Sequence, residues 1–199
     1  EVSIICNMAN QQPYRIKTIS EFHRLRGLPK SEHPLISVVD FAAFKHQHPT
    51  ENNPTSWVLD FYSISLKRDP GTKIKYGQQE YDFDEGIMFF LAPGQVFRIE
   101  VEQTSAQKRS GWMLLIHPDF LWNTPLANGI KRYEYFGYSV NEALFLSEKE
   151  EATITNIIQN IQQEYNANID KFRQDIIMAQ NELLLTYAER FYHRQFIKR

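Results

Sequence analysis

Three groups in this chain have residue types that could carry chemistry. The first is "HQHPTE", in which His46, His48 and Glu51 supply two imidazoles and a carboxylate. Alternate residues of a strand share a face, so His46 and His48 could chelate a cation. Pro49 follows at once, however, and "PTENNPT" is loop composition lying between strands. A metal-binding small β-barrel would also place a histidine after its Pro-x-Gly turn. Here Pro93-Gly94 is followed by "QVFRIEV", with Gln, Phe and Arg. No metal and no cofactor are expected. The second group is Glu80, Asp82, Asp84 and Glu85, four acids in a turn region, which read as a solvated edge. The third is the scattered histidines. His23 and His33 fall in N-terminal loops, His117 leads into a short helix, and His193 lies near a helix C-terminus, where a cation is welcome. No phosphate-binding glycine loop and no Gly-x-Ser-x-Gly elbow occurs. No residue reads as a nucleophile with its base, and no enzyme is expected.

The elements around these residues divide the chain in two. Up to Leu146, short apolar runs are cut by Pro, Gly, Asn and Asp; from Ser147 to Arg199 there is neither Pro nor Gly. The first part predicts strands over Leu35–Phe41, Ser56–Lys67, Ile87–Leu91 and Gly111–Ile116, the last two apolar on both faces as strands covered on both sides must be. In Ser56–Lys67, Trp57, Leu59 and Phe61 alternate with Val58, Asp60, Tyr62, Ile64 and Leu66. Asp69–Thr72 and "APGQ" carry Pro and Gly as type II turns require. Six or seven strands at this spacing predict a barrel or sandwich. Pro118 and Asp119 open a short helix that ends near Asn128–Gly129.

Ser147 and Glu150 form a capping box. Ile154, Ile157, Ile158, Ile161 and Tyr165 then follow at helical spacing, and a break at Asn168–Asp170 precedes a second helix. That helix carries two adjacent heptad-spaced apolar lines, Ile177-Leu184-Phe191 beside Ile176-Leu183-Tyr187, a face wider than one contact needs. The surplus fits either a helical hairpin packed on its own barrel or contact with a second copy, the latter through Ile177, Leu184, Ala188 and Phe191.

The bulk numbers fit this organisation. The 199 residues are enough for one domain with a substantial core, at 42% hydrophobic and 23% charged. A net charge of −2 argues against broad electrostatic capture of nucleic acid or anionic membrane. One cysteine, Cys6, permits no internal disulfide, which fits a reducing compartment. Without a signal-peptide pattern or a membrane-spanning apolar run, the expected location is the cytoplasm. The 14% aromatic content fits either a lined pocket or a generously packed core.

"GLPKSEHPLIS", "YDFDEGIMFFLAPGQV", "GWMLLIHPDFLWNTPLANGI", "YFGYSVNEALFLSEKEE" and "ELLLTYAERFYHRQFIKR" occur in this order. Together they resemble the N-terminal part of an AraC-type transcriptional regulator, in the form common in Bacteroidetes-like bacteria, from about Tyr14 to Arg199. The resemblance implies an α+β fold: an arm over residues 1–30, a small cupin-like β-barrel or jelly roll without metal over 31–146 with its short helix near 118–128, and a two-helix dimerisation segment over 147–199. It also implies a homodimer, a small-molecule effector in the barrel, and DNA contact only through a downstream helix-turn-helix domain absent from this chain. The candidate pocket residues are the barrel aromatics Tyr62, Tyr76, Phe89, Phe97 and Trp112, though plain core packing is the commoner reason for each. The alternatives are a cupin-type enzyme, which would need a convergent acid/base pair, and a free-standing small-molecule-binding protein.

Overall fold

Ser56–Lys67, which alternates as one strand in sequence, is two strands. The chain bends at Asp60 and Phe61 and passes from one sheet into another there, as strands do at the corners of two-layer β structures. The computed structural model describes residues 12–44, 56–68, 74–76, 79–81, 86–98, 110–137, 143–167 and 170–196, with backbone alone for 74–76, 79–81 and 98. In chain order these hold β1 (Tyr14–Ile16), α1 (Ile19–Leu25), β2 (Ile36–Asp40), β3 (Ser56–Leu59), β4 (Tyr62–Arg68), β5 (Ile74–Tyr76), β6 (Gln79–Tyr81), β7 (Gly86–Leu91), β8 (Val96–Arg98) and β9 (Ser110–Ile116). Then come α2 (Pro125–Gly129), β10 (Leu144–Leu146), α3 (Glu148–Asn166) and α4 (Arg173–Phe196).

The fold is mixed α+β. A five-stranded antiparallel sheet runs β10-β7-β4-β9-β2, a three-stranded sheet runs β1-β3-β8, and β5-β6 is a hairpin. Among the described residues no strand pairing closes these sheets into a barrel. The arm takes part in the smaller sheet: β1 lies parallel to β3, and Arg15 Nε meets the Asp60 carboxylate at 2.7 Å beside the bend.

Pleating sorts the five-stranded sheet into two faces. Tyr62, Ile64, Leu66, Met88, Phe90, Trp112, Leu114 and Ile116 join the main core under α2, α3 and α4. The predicted stripe of α3 (Ile154, Ile157, Ile158, Ile161, Tyr165) is buried against them. The opposite face, with Val39 and Leu115, packs on Ile16, Ile19, Phe22, Leu59 and Phe61 from the smaller sheet and α1. The Pro118 segment is a 3-10 turn, Pro118–Leu121, followed by α2. Much of the aromatic surplus is core. Tyr135 and Phe136 fill the space between the sheet and α4, with Tyr135 in ring contact with Phe90 at 4.3 Å and Tyr192 at 5.9 Å.

Both edges of the five-stranded sheet are bolted to the helices. At β2 the Tyr165 hydroxyl bridges Val38, accepting from its N–H at 3.2 Å and donating to its carbonyl at 3.4 Å. At β10 the Gln195 amide accepts from Phe145 N–H and donates to the Ala143 carbonyl, both at 2.9 Å, and Arg194 donates to the Phe145 carbonyl at 2.7 Å. Edge groups that would otherwise be open to strand addition are thus occupied. The capping box is present: the Ser147 hydroxyl accepts from Glu150 N–H, and the Glu150 carboxylate accepts from Ser147 N–H.

Candidate functional site

The face of β4 turned toward the smaller sheet carries Ser63, Ser65 and Lys67. Ser63 lies between Leu91 and Leu115, Ser65 between Phe89 and Met113, and Lys67 between Ile87 and Gly111. The register alone therefore sets a polar row into an apolar wall. Ser63 is 2% and Ser65 5% exposed.

Phe97, Trp57, Phe44 and Met113 are partly buried against the inter-sheet core, while Phe89, beside Ser65 in the register, packs on a separate small cluster with Ile87 and Ala143. The Lys67 ammonium lies 5.5 Å from the rings of both Phe41 and Phe89. The Arg26 guanidinium lies 5.2 Å from Phe44 and 6.0 Å from Trp57. Two hydroxyls, flat apolar walls and cations at the rim suit an organic ligand with hydrogen-bonding groups on an apolar body.

The five pocket residues named from sequence divide by strand parity. Phe89 and Phe97 belong to this inter-sheet side. Tyr62 and Trp112 belong to the opposite face, in the core beneath the helices. The Tyr62 ring contacts Phe136 at 5.2 Å, and burial pushes its phenol above the ordinary range. The side chain of Tyr76 lies outside the described residues, as do His46, His48, Glu51 and the acids Glu80, Asp82, Asp84 and Glu85. Among the described residues no cluster of three metal-ligating side chains occurs.

One pair that sequence reading missed resembles a nucleophile with its base. His23 Nε2 lies 2.9 Å from Ser37 Oγ, and His23 Nδ1 lies 2.6 Å from the Pro29 carbonyl oxygen. A carbonyl only accepts, so Nδ1 donates to it, and Nε2 shares a hydrogen bond with the Ser37 hydroxyl. His23 is on α1, in a helix and not the expected loop, and is 7% exposed; Ser37 is 4% exposed. With a backbone carbonyl and not a carboxylate on Nδ1, and with both side chains buried, this is a satisfied core histidine that ties α1 to β2. Fourteen residues separate the pair, so no local motif announces it.

A cleft of about 480 Å³ opens elsewhere, where Arg68, Gly86 and Leu146 meet Ser147, Glu148, Lys149 and Glu151 at the start of α3. Two of its charges, Arg68 and Glu151, are paired with each other. Arg68 Nε reaches the Glu151 carboxylate at 2.8 Å, and the capping box consumes amides at the helix start. A Cβ at Gly86 would collide with the Glu151 carboxylate, so the glycine makes room for that ion pair. The cleft serves to seat α3 on the sheet.

On α4 the two apolar lines separate. Ile177, Leu184, Ala188 and Phe191, named from sequence as the contact with a second copy, are at most 5% exposed and lie in the protein's own core. The neighbouring line is only partly outside: Ile176 is 42% and Leu183 43% exposed, while Tyr187 is half-buried against the main core; Phe172, just before α4, is 56% exposed. No family model matches this chain, and no curated protein matches it. Among the described residues no helix is long and apolar enough to cross a membrane.

Proposed function

We propose that this chain is the effector-binding and dimerisation part of an AraC-type transcriptional regulator, with a cupin-like β scaffold as the sensor and α3 and α4 as the output. The effector would lie between the sheets against Ser63 and Ser65 and be clasped by Phe89, Phe97 and Trp57. DNA would be reached through a helix-turn-helix domain downstream. The observation that carries this reading is the pair of buried serines on the inter-sheet face of β4, with partly buried Trp57 and Phe97 packed on the same core. Their cross-strand neighbours Leu91, Leu115, Phe89 and Met113 bring no carboxylate or imidazole beside them, which favours binding over reaction. The ordered sequence phrases supply the family, and the bolting of α3 and α4 to both sheet edges supplies a route by which a change between the sheets reaches the helices.

A small-molecule thermal-shift screen on wild type and on Ser63→Ala/Ser65→Ala tests it. At 100 times its Kd a ligand adds about 2.7 kcal/mol to stability, a shift of several degrees. Ser→Ala removes only one oxygen at each position, so the double variant should keep the fold. The expected result is a ligand whose stabilisation falls at least about tenfold in affinity in the double variant, in keeping with hydrogen bonds worth about 1 kcal/mol each. Ligands that stabilise both proteins equally would move the site elsewhere, and turnover of a ligand would favour the cupin-enzyme alternative.

A further inference from the structure

The chain passes from the five-stranded sheet to the smaller one through a short, stiff turn. β7 ends at Leu91 and β8 starts at Val96. Between them Gln95 N–H donates to the Ala92 carbonyl at 3.3 Å, with Pro93 and Gly94 at the centre and Gly94 at φ 83°. This is a type II arrangement, in which proline fixes one φ and glycine supplies the positive one. Gly94 N–H also donates to the Leu59 carbonyl at 2.8 Å, which ties the turn to the end of β3. Two residues past Gln95, Phe97 pairs with Trp57 of β3 on the inter-sheet side.

The Gln95 side chain leaves this turn toward the helices. It is 6% exposed. Its Oε1 accepts from Ala92 N–H at 2.9 Å, and its Nε2 donates to the Phe136 carbonyl at 2.7 Å. Next to Phe136, Tyr135 meets the Tyr192 ring of α4 at 5.9 Å and donates its hydroxyl to the Leu185 carbonyl at 3.0 Å. Two buried hydrogen bonds and the segment between them lead from the β7–β8 turn to the middle of α4. The route is separate from Tyr165, Arg194 and Gln195, which hold the helices to the sheet edges. If the buried Gln95 amide let go of Phe136, a donor and an acceptor would lose each other away from water, which is unfavourable. Its surroundings are close-packed, so a shift of the turn is passed to Phe136 and not absorbed.

We infer that Gln95 is a positioning residue that couples the inter-sheet site to α4. A ligand that draws β3 and β8 onto the larger sheet moves the β7–β8 turn, and Gln95 carries that movement through Phe136 and Tyr135 to Leu185. The inference rests on the effector-binding part of the proposed function and names how that site is read out. A ligand acts along this route only as far as it binds one position of the turn better than another.

The coupling is measured without a ligand, with Phe97→Ala as the perturbation on the inter-sheet side. Amide resonances of the isotope-labelled protein are compared among wild type, Phe97→Ala, Gln95→Met and the double variant. Methionine keeps the length of the side chain and removes both of its hydrogen bonds. The expected result is that Phe97→Ala moves the resonances of Phe136, Leu185 and Tyr192 in the wild-type background. In the Gln95→Met background those displacements should fall at least about twofold, the low end of what residues on a coupling route change, while the displacement at Trp57 stays the same. Gln95→Glu is the conservative check: its protonated acid can donate to Phe136 and accept from Ala92, and its carboxylate cannot donate. Transmission in that variant should be present at low pH and lost as the acid ionises, whereas wild type keeps it at both. Phe97→Leu replaces Phe97→Ala if the latter fails to fold, and Gln95→Glu decides alone if Gln95→Met does. A residue that only held the turn together would lower stability in Gln95→Met and leave the displacements at Leu185 and Tyr192 at full size, which overturns the inference. A wild type in which the Phe97 change moves nothing beyond β3 and β8 overturns it too. Both results spare the effector site, whose own failure, a thermal-shift screen with no ligand dependent on Ser63 and Ser65, would leave the measured coupling in place.

Discussion

At the scale of single residues, the informative positions are those where a local rule is broken. Asn181 is fully buried in the middle of α4; its Nδ2 donates to the Ile177 carbonyl at 2.9 Å and its Oδ1 has no partner. An apolar residue of similar volume removes the unmet acceptor. Asn181→Leu should therefore raise stability by about 1 kcal/mol in urea unfolding, the amount an unsatisfied buried group typically forfeits. Gly111 breaks a different rule. It sits in β9 at φ 116°, and a Cβ there would collide with the Leu66 carbonyl. Gly111→Ala should cost about 2–4 kcal/mol, through both the backbone strain and the displacement of β4. His33 ties stability to pH. Burial first, and the Arg173 charge second, hold its imidazole below the usual 6.5. Its Nδ1 accepts from Leu35 N–H at 3.1 Å, a bond that protonation would abolish. As pH falls through 6.5 the unfolded chain takes up the proton first, so His33's contribution is complete above that value and declines below it. His33→Asn keeps an acceptor two residues before Leu35 without the titration. Relative to wild type it should gain stability between about pH 7.5 and about pH 5.5, measured as Tm.

At the scale of elements, legibility followed the range of the determining interaction. The capping box at Ser147, the Ile154–Tyr165 stripe, the break before α4 and the two doubly covered strands Gly86–Leu91 and Ser110–Ile116 are set by neighbours within a turn or by a two-residue period, and all are present. Ser147→Ala should cost about 1 kcal/mol, as N-cap losses do, with the effect confined to α3 in amide exchange. What the sequence concealed depends on distant partners. The corner at Asp60–Phe61 is fixed by Arg15 and Ile16, some 45 residues earlier, through the Asp60 carboxylate and the Asp60 N–H. Tyr62 and Trp112 look like Phe89 as pocket candidates, and only the register tells which face of the sheet each occupies. On α4 the two apolar lines are interchangeable by composition. The rotation that buries Ile177 and Leu184 and exposes Ile176 and Leu183 is chosen by α3 and by the docking of Gln195 on β10.

For the whole molecule, the five-stranded sheet is shared between two cores of unequal size. On one face it meets three helices and the Tyr135–Phe136 segment in a large continuous cluster. On the other it meets the smaller sheet and α1 through a few side chains, the Arg15–Asp60 pair, and the half-buried rings of Trp57 and Phe97. Local stability tracks buried apolar contact, so the two halves should open at different free energies. Native-state hydrogen exchange should place the β4, β7 and β9 amides at the global unfolding energy. The amides of β1, β3 and β8 should open at roughly 2–4 kcal/mol less, with unchanged β4 protection. This weaker seam is where the proposed effector would enter, and a ligand that bridges Ser63 and Ser65 to Trp57 and Phe97 should close the gap. Its addition should slow exchange in β3 and β8 while leaving α3 and β9 unchanged. Uniform slowing across both cores would instead mean a ligand bound outside the inter-sheet space. Equal protection of both sheets without ligand would mean that the smaller sheet is no separate lid.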